Sequence, residues 1–455
     1  MARDITHLGV DLVPAVAILN MRQLLLSLFA PLALVACNPG SSTETHDAGG
    51  ESPDAASDAG AHGCPAGFAG AACVIALHDQ AVASCDPVLV TELRAELDAR
   101  ARLGPLWSAG RAVFRTAAPI QIAGGFNNWS TTELASRAVC GSDLIVAVGP
   151  VASGFWPYKL FDGAAWSLDP RDPAFAYDDF IGNPDGKNSI LNTPDSGRGH
   201  LIELDQACST ALGNCRDVTA YLPPGYAAPA NGAKTYPVLF MHDGQNVWDD
   251  HDCCFGHTGW ELNVALDTEI AAGRVAPIVV IAAEHSAARN NEYGLAAATM
   301  TTFMQFQVME LQPKALAQVR WNTERVAVGG SSLGGLVSMH LALAYPQTYA
   351  AVASLSGAFW PNDHALRDQL PSYGKQPLAI YLDHGGNVGT NSDGAADTVE
   401  VRDVLDGLGW SVSTSPECTV GSDAICYHSE PGATHDELAW KARTWRFLRF
   451  LVPAN

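Results

Sequence analysis

Ser332 stands in Gly329-Gly-Ser-Ser-Leu-Gly-Gly335, after the apolar run Val326-Ala-Val328 and before the helix-like segment Leu336–Tyr345. A serine on a tight turn between a strand and a helix lifts its hydroxyl clear of the sheet, and glycines two residues to either side, Gly330 and Gly334, let the backbone crowd there without Cβ clashes. Ser332 is therefore the candidate nucleophile for acyl transfer. A G-x-S-x-G match arises easily in a chain with 42 glycines, so the flanking strand and helix carry the reading rather than the motif alone. A serine hydroxyl is a poor nucleophile at neutral pH. It needs a base to take its proton, a carboxylate to orient that base, and backbone N–H groups where negative charge gathers on the attacked carbonyl. A base is offered by His435, in Pro431-Gly-Ala-Thr-His-Asp-Glu-Leu-Ala-Trp440, beyond the last of the strand-like runs. His428 and His242 compete with it. His242 opens His242-Asp-Gly-Gln-Asn246 directly after an apolar run, where packing beside a donor loop is its expected work. The N–H of Leu333, next after the serine, and an N–H from Gly244 or Gln245 are the candidate oxyanion donors.

Those groups need a scaffold that brings residues 244, 332 and 435 to one place. From about Leu204 to Val452, the apolar runs Tyr236–Met241, Ile278–Ala282, Val326–Val328, Ala351–Leu355 and Leu378–Leu382 alternate with longer helix-like segments, among them Phe303–Ala317. This predicts a mostly parallel sheet covered on both faces, with functional groups at the carboxyl ends of its strands. Between Arg111 and Leu201 the pattern differs: short β segments are punctuated by Gly, Pro, Asn and Asp, as in a small antiparallel sandwich. Thr91–Arg102 has helical spacing at Leu93 and Leu97.

Several pieces recur together in a known order: His242-Asp-Gly-Gln-Asn246, Arg289-Asn-Asn-Glu-Tyr293, Glu310-Leu-Gln-Pro313, the Ser332 elbow, Leu343-Ala-Tyr-Pro346, Ser354-Leu-Ser-Gly357 and His435 in G-x-x-H-x-x-x-x-W. In wording and order they resemble the esterase family of α/β-hydrolases that includes feruloyl and acetylxylan esterases, enterochelin esterases and mycolyltransferase antigens. The resemblance spans about 245 residues and implies Ser332 as nucleophile and His435 as base. For the acid it implies the loop beyond the strand that ends at Leu382. That loop departs from the simpler family pattern: Val388 or a neighbour fills the expected acid position, and an Asn/Gly-rich insertion follows. Asp393 in the insertion is the first choice, Asp397 and then Asp383 are the alternatives, and a Ser-His dyad remains open. Upstream, Ile120-Gln-Ile-Ala-Gly-Gly-Phe-Asn-Asn-Trp129, Trp156-Pro-Tyr-Lys-Leu160 and Trp166-Ser-Leu-Asp-Pro170 resemble the glycogen-binding-type early-set sandwich, of immunoglobulin-like fold. That resemblance implies Trp129, Trp156, Trp166 and Lys159 as sugar-contacting candidates, set against the reading that the tryptophans are packing residues.

Arg22 precedes the apolar run Leu24–Ala36, which is shorter than the roughly 20 residues of a membrane span and ends at Leu34-Val-Ala-Cys37. This resembles a bacterial lipoprotein signal and implies acylation of Cys37, with Met21 as an alternative start. Residues 37–63 lack large apolar side chains and read as a flexible tether. Ten cysteines remain, an even number suited to an oxidising compartment, and Cys64/Cys73, Cys208/Cys215 and Cys418/Cys426 are spaced for bridges. Adjacent Cys253 and Cys254 bridge separately or are reactive. No C-x-x-C pair or histidine cluster has metal-ligand spacing, and no organic cofactor is implied. A net charge of −22 without a basic cluster argues against nucleic acid as a partner.

The expected organisation is a signal segment over 1–36, a tether over 37–63, a Cys-containing linker and helix over 64–104, a carbohydrate-binding-like sandwich over 105–203, and an α/β-hydrolase over 204–455. The expected function is an exported, lipid-anchored serine ester hydrolase acting on feruloyl or acetyl esters of polysaccharides. A siderophore esterase and a non-catalytic surface binder on the same fold are the alternatives.

Overall fold

The computed structural model describes residues 64–65, 69–100, 104–178, 186–250, 253, 258–418, 421 and 423–454. The expected lipidation site, Cys37, and the signal and tether around it lie outside the described residues. Among the described residues no helix is long and apolar enough to cross a membrane.

The strands, in chain order, are β1 (Leu106–Ser108), β2 (Arg111–Thr116), β3 (Gln121–Gly124), β4 (Arg137–Ala138), β5 (Ile145–Pro150), β6 (Phe155–Phe161), β7 (Trp166–Ser167), β8 (Ala174–Tyr177), β9 (Lys187–Asn192), β10 (His200–Ser209), β11 (Asn214–Leu222), β12 (Val238–Met241), β13 (Val279–Ala283), β14 (Val326–Ser331), β15 (Ala351–Leu355), β16 (Ala379–His384), β17 (Ser411–Ser413) and β18 (Ala424–Ser429). All five predicted runs of the C-terminal part appear as strands, each displaced by no more than a few residues. With β17 and β18, they lie in the order β17-β18-β16-β15-β14-β12-β13, every neighbour parallel. The runs are continuously apolar because both faces are covered. Val238 and Phe240 of β12 face one core with Val279, Ile281, Val328, Ile380 and Leu382. Leu239 and Met241 face the other with Val280, Ala282, Ala327 and Tyr381. The helices Leu333–Ala344 and Glu437–Leu451 supply Leu336 and Val337 to the first core and Trp440, Phe447 and Leu448 to the second. The helix expected over 303–317 begins earlier, at Ala297, and changes to a π turn at Gln307–Leu311 before ending at Leu316.

Beyond β13 the sheet turns antiparallel through the long hairpin β11–β10, which is closed by the Cys208–Cys215 disulfide, and continues into β8, β9, β6 and β3. Of the region expected to stand apart as a sandwich, β3, β6, β7, β8 and β9 therefore share a sheet with the hydrolase, because Leu201 and Ile202 at the start of β10 pair with β8. A second sheet, β1-β2-β5-β4, lies against it. Period-2 alternation divides its side chains: Ala112, Phe114 and Ala147 meet Ile122, Tyr158, Leu160 and Leu191 of the larger sheet. Val113 and Val146 point the other way, onto Leu77, Leu93 and Leu97. The stretch expected to link tether and sandwich thus folds into two helices, Gly70–Ser84 and Pro87–Ala99, that cover this outer face. Cys85–Cys140 fastens them to it, and Cys64–Cys73 and Cys418–Cys426 bridge as their spacing predicts. The sulfurs of Cys64 and Cys73 are bonded to each other, so their proximity to Glu96 is not a metal site. Cys253 is also disulfide-bonded, which removes it as a reactive thiol.

Candidate active site

Ser332 is the hinge between β14 and the helix Leu333–Ala344, with φ 54° and ψ −126°. Such a backbone is uncommon for a residue bearing a Cβ and stores strain of about 1–3 kcal/mol. Three backbone bonds hold it: Ser332 N–H donates to Leu355 O at 3.0 Å, and Leu336 N–H and Ala358 N–H donate to Ser332 O at 3.1 and 2.9 Å. The glycines are required by contact. A Cβ on Gly330 would lie 2.8 Å from the Gly334 carbonyl carbon, and one on Gly334 would lie 3.0 Å from Asp243 Oδ2.

His435 follows β18 in the loop before the helix Glu437–Leu451, its side chain 42% exposed. Its Nδ1 bonds Asp393 Oδ1 at 2.5 Å, and its ring stands edge-on to Trp440 with centroids 5.1 Å apart. Asp393, with a side chain only 2% exposed, sits in the turn Ser392–Gly394 of the inserted loop with φ 56°. Aspartate is among the few side chains that adopt this left-handed backbone readily. Its other oxygen accepts from Ser356 Oγ at 2.7 Å and from Gly385 N–H. With Nδ1 held by the carboxylate, Nε2 is the nitrogen left to exchange a proton. The structure thus brings together the first-choice acid and the expected base. It does not close a hydrogen bond from Ser332 Oγ to His435 among the described residues.

The other acid candidates are committed elsewhere. Asp383 is fully buried, paired with Arg443 at 3.0 and 3.2 Å, and accepts from Tyr381 Oη at 3.0 Å. Asp397 lies in the first turn of the helix Ala395–Gly407 and bonds Asn391 Nδ2 at 3.2 Å and faces His364 Nδ1 at 3.6 Å. The competing histidines are likewise engaged. His428 Nε2 bonds Glu430 at 3.1 Å. His242 is buried, and burial pushes its pKa down to about 4, so it is neutral. Ser338 Oγ donates to Gly334 O at 2.7 Å, so its lone pairs face His242 Nδ1 at 2.9 Å, which carries the proton. His242 therefore ties β12 to the helix behind the elbow, the packing role expected of it.

Leu333 is the first residue of its helix, so its N–H has no intrahelical acceptor. Gly244 opens the one-turn helix Gly244–Val247 after Asp243, which is left-handed at φ 58°. A Cβ on Gly244 would lie 2.8 Å from the Ala283 carbonyl carbon, and Gln245 Oε1 accepts from His285 N–H at 3.2 Å. Arg289 clamps Asp243 with two bonds of 2.6 and 2.7 Å. That pair fixes the turn from which Gly244 and Gln245 present their N–H groups, and sequence reading missed it although both residues lie in quoted motifs.

The family model described as "Putative esterase" matches residues 209–442, just over half of the chain. The chain belongs to this esterase family. Its fold is the family's α/β-hydrolase with a mixed sheet and helices. It is 25% identical over 239 residues to "Uncharacterized protein YbbA" of Bacillus subtilis (strain 168), covering 48% of this chain and 86% of that protein. It is 32% identical over 186 residues to "Iron(III) enterobactin esterase" of Dickeya dadantii (strain 3937), covering 40% of this chain and 38% of that one, so the matched region spans well under half of that relative's length. Among solved structures, a ferulic acid esterase is similar at 16% identity and a TM-score of 0.42, over 56% of this chain and 98% of that one.

Outside its hydrolase core, this esterase-family chain separates the four sugar-contacting candidates. Trp129 and Trp166 are 39% and 41% exposed and meet edge to face with centroids 6.1 Å apart, and Phe161 backs Trp166 at 4.7 Å. Trp156 turns inward over Gly154 and donates Nε1–H to Ala152 O at 2.9 Å. Lys159 is buried at 5% exposure, so it is not offered to solvent as the two exposed tryptophans are. β6 alternates its side chains between faces: Tyr158 and Leu160 enter the core between the sheets, and Lys159 shares the other face with Phe161, so its burial and not its strand face keeps it from solvent.

Proposed function

We propose that the chain is a serine carboxylic ester hydrolase in which Ser332 attacks the ester carbonyl, His435 takes and returns the proton, and Asp393 orients the imidazole. The observation that carries this reading is the 2.5 Å contact of His435 Nδ1 with the buried Asp393 beside a strained serine elbow. Attack transfers the Ser332 proton to His435 Nε2 and places negative charge on the carbonyl oxygen, which Leu333 N–H and Gly244 or Gln245 N–H receive. Collapse expels the alcohol with the proton from Nε2, and water, activated by the same nitrogen, releases the acid and restores Ser332.

The substrate reading is an acyl ester carried on a polysaccharide, feruloyl or acetyl. Its support is the exposed Trp129/Trp166 pair, whose flat rings suit a sugar face, together with exposed Leu295 and Trp360, which follow Gly294, packed near Leu333 and Leu336, and Ala358, bonded to Ser332 O. Asn362, two residues beyond Trp360, donates to Gly294 O at 2.7 Å and holds those two segments together. Residues 105–203 are then an accessory module that raises the local concentration of polymer-borne ester. Acylation of Cys37 would hold the enzyme at a bacterial membrane on the exported side. A second reading, hydrolysis of an iron-siderophore lactone, is favoured by the identity to the Dickeya dadantii enterobactin esterase. Against it, Arg289, the cation clamped to the turn before Gly244, is neutralised by Asp243.

A screen of purified residues 38–455 against aryl acetates, feruloylated and acetylated xylan, and a ferric triscatecholate trilactone decides between these. Turnover of the xylan esters that disappears in Ser332→Ala supports the proposal. Turnover of the lactone alone supports the second reading, and no turnover of any ester sinks both in favour of a binding protein.

A further inference from the structure

Ser356, fully buried in the turn after β15, is the meeting point of three groups that lie far from it in the sequence. Trp440 Nε1 and Arg443 Nη2 each lie 3.0 Å from its Oγ, and that Oγ lies 2.7 Å from Asp393 Oδ2. Indole and guanidinium nitrogens donate only, so both occupy the lone pairs of the hydroxyl. Its single proton has one acceptor left, Asp393. The direction of the chain is therefore fixed: Arg443 and Trp440 donate to Ser356, Ser356 donates to Asp393, and Asp393 faces His435. Arg443 is itself immobilised by Asp383, and Ser356 N–H donates to Asp383 Oδ1 at 3.1 Å.

We propose that Ser356 is a positioning residue for the reaction, a hydroxyl polarised by Arg443 and Trp440 that holds one oxygen of Asp393 so that the other meets His435 Nδ1. This rests on the reading of His435 and Asp393 as base and acid, but the arrangement itself exists without substrate and without Ser332. A donor on Oδ2 draws charge away from Oδ1 and lowers the carboxylate's pull on the imidazole proton. Losing it frees the carboxylate to rotate and raises the proton affinity of His435.

The test measures Ser356→Ala and Ser356→Thr in the full chain, by aryl-ester kinetics and by the far-downfield proton resonance of the His435 Nδ1–H. Ser356→Ala is expected to lower kcat by about 10–100-fold, the range for displaced supporting groups, with KM within twofold. The acid limb of its kcat/KM profile should move to higher pH, and the Nδ1–H resonance should shift or broaden. Ser356→Thr, which keeps the hydroxyl, should restore the resonance. A Ser356→Ala protein with unchanged resonance and unchanged acid limb overturns the proposal even if its activity falls. Should Ser356→Ala fail to fold, the resonance of Ser356→Thr must match wild type, and a displaced one refutes it. Because the resonance is read without ester, it distinguishes failure of this proposal from failure of the esterase reading.

Discussion

Replacing Asp393 by Asn changes one oxygen to an amide and should trap His435 in the wrong tautomer. Asp393 Oδ2 accepts from Ser356 O–H and Gly385 N–H, and Ser356 cannot reverse, because Trp440 and Arg443 occupy its lone pairs. The asparagine oxygen must therefore stay on that side, since an NH₂ there would face two donors. The NH₂ then faces His435 Nδ1 in place of the oxygen now 2.5 Å away, and Nδ1 must become an acceptor. The imidazole proton moves to Nε2, which can no longer take the Ser332 proton. A wrong tautomer of this kind costs about 10⁴ in kcat, or about 5.4 kcal/mol at 1.36 kcal/mol per factor of ten. KM should stay within about threefold, because the acid does not touch substrate. Steady-state hydrolysis of an aryl acetate, with thermal melting to confirm folding, reads both. A kcat loss below tenfold would refute the tautomer argument, and a crippled Asp397→Asn beside a mild Asp393→Asn would move the acid to the next helix.

Asp383 and Arg443 are both fully buried and paired, so Asp383→Asn should destabilise the fold by about 3–5 kcal/mol in urea unfolding through the charge left behind on Arg443; a change under 1 kcal/mol would contradict the burial argument. His242 and His340 are buried and His200 half-buried, and desolvation pushes the pKa of each down to about 4. Their folded values lie below the unfolded value of about 6.5, so the folded state resists protonation. Stability is then full above pH 6.5 and falls toward pH 4, by up to about 1.4 kcal/mol per pH unit for each histidine; His340→Gln should flatten that fall, and parallel urea midpoints for the two proteins would refute it. Trp129→Ala or Trp166→Ala should weaken retardation by xylan or glucan in an affinity gel by about 1 kcal/mol while leaving aryl-ester kcat unchanged; unretarded wild type makes the pair a packing feature.

The hydrolase core was legible because its strands are short, continuously apolar and separated by helix-length segments, so period and order sufficed. Ser332 was legible because strand, glycines and helix are local. Asp393 was less so: nothing in Gly389-Thr-Asn-Ser-Asp393 marks it as an acid, and only the left-handed turn brings it under His435. Ser356 lies in the Ser354-Leu-Ser-Gly357 piece, but its role was not legible, since its partners lie 37, 84 and 87 residues away. The one trace was the spacing of Trp440 and Arg443, three apart and so on one helix face. The helix over 70–84 was not legible because its apolar side chains pack onto a sheet formed later in the chain. The burial of Lys159 was not legible, because it depends on what packs over that face of β6 and not on the strand's own pattern.

Ester hydrolysis by this chain requires Ser332 to be an activated nucleophile. A fluorophosphonate probe reacting with the intact protein, followed by peptide mass spectrometry, tests it directly. One adduct is expected, on Ser332, and its formation should slow by about 10³-fold or more in His435→Ala, as base and nucleophile act as a unit. An adduct on any other residue, or ester hydrolysis that survives in Ser332→Ala, would contradict it.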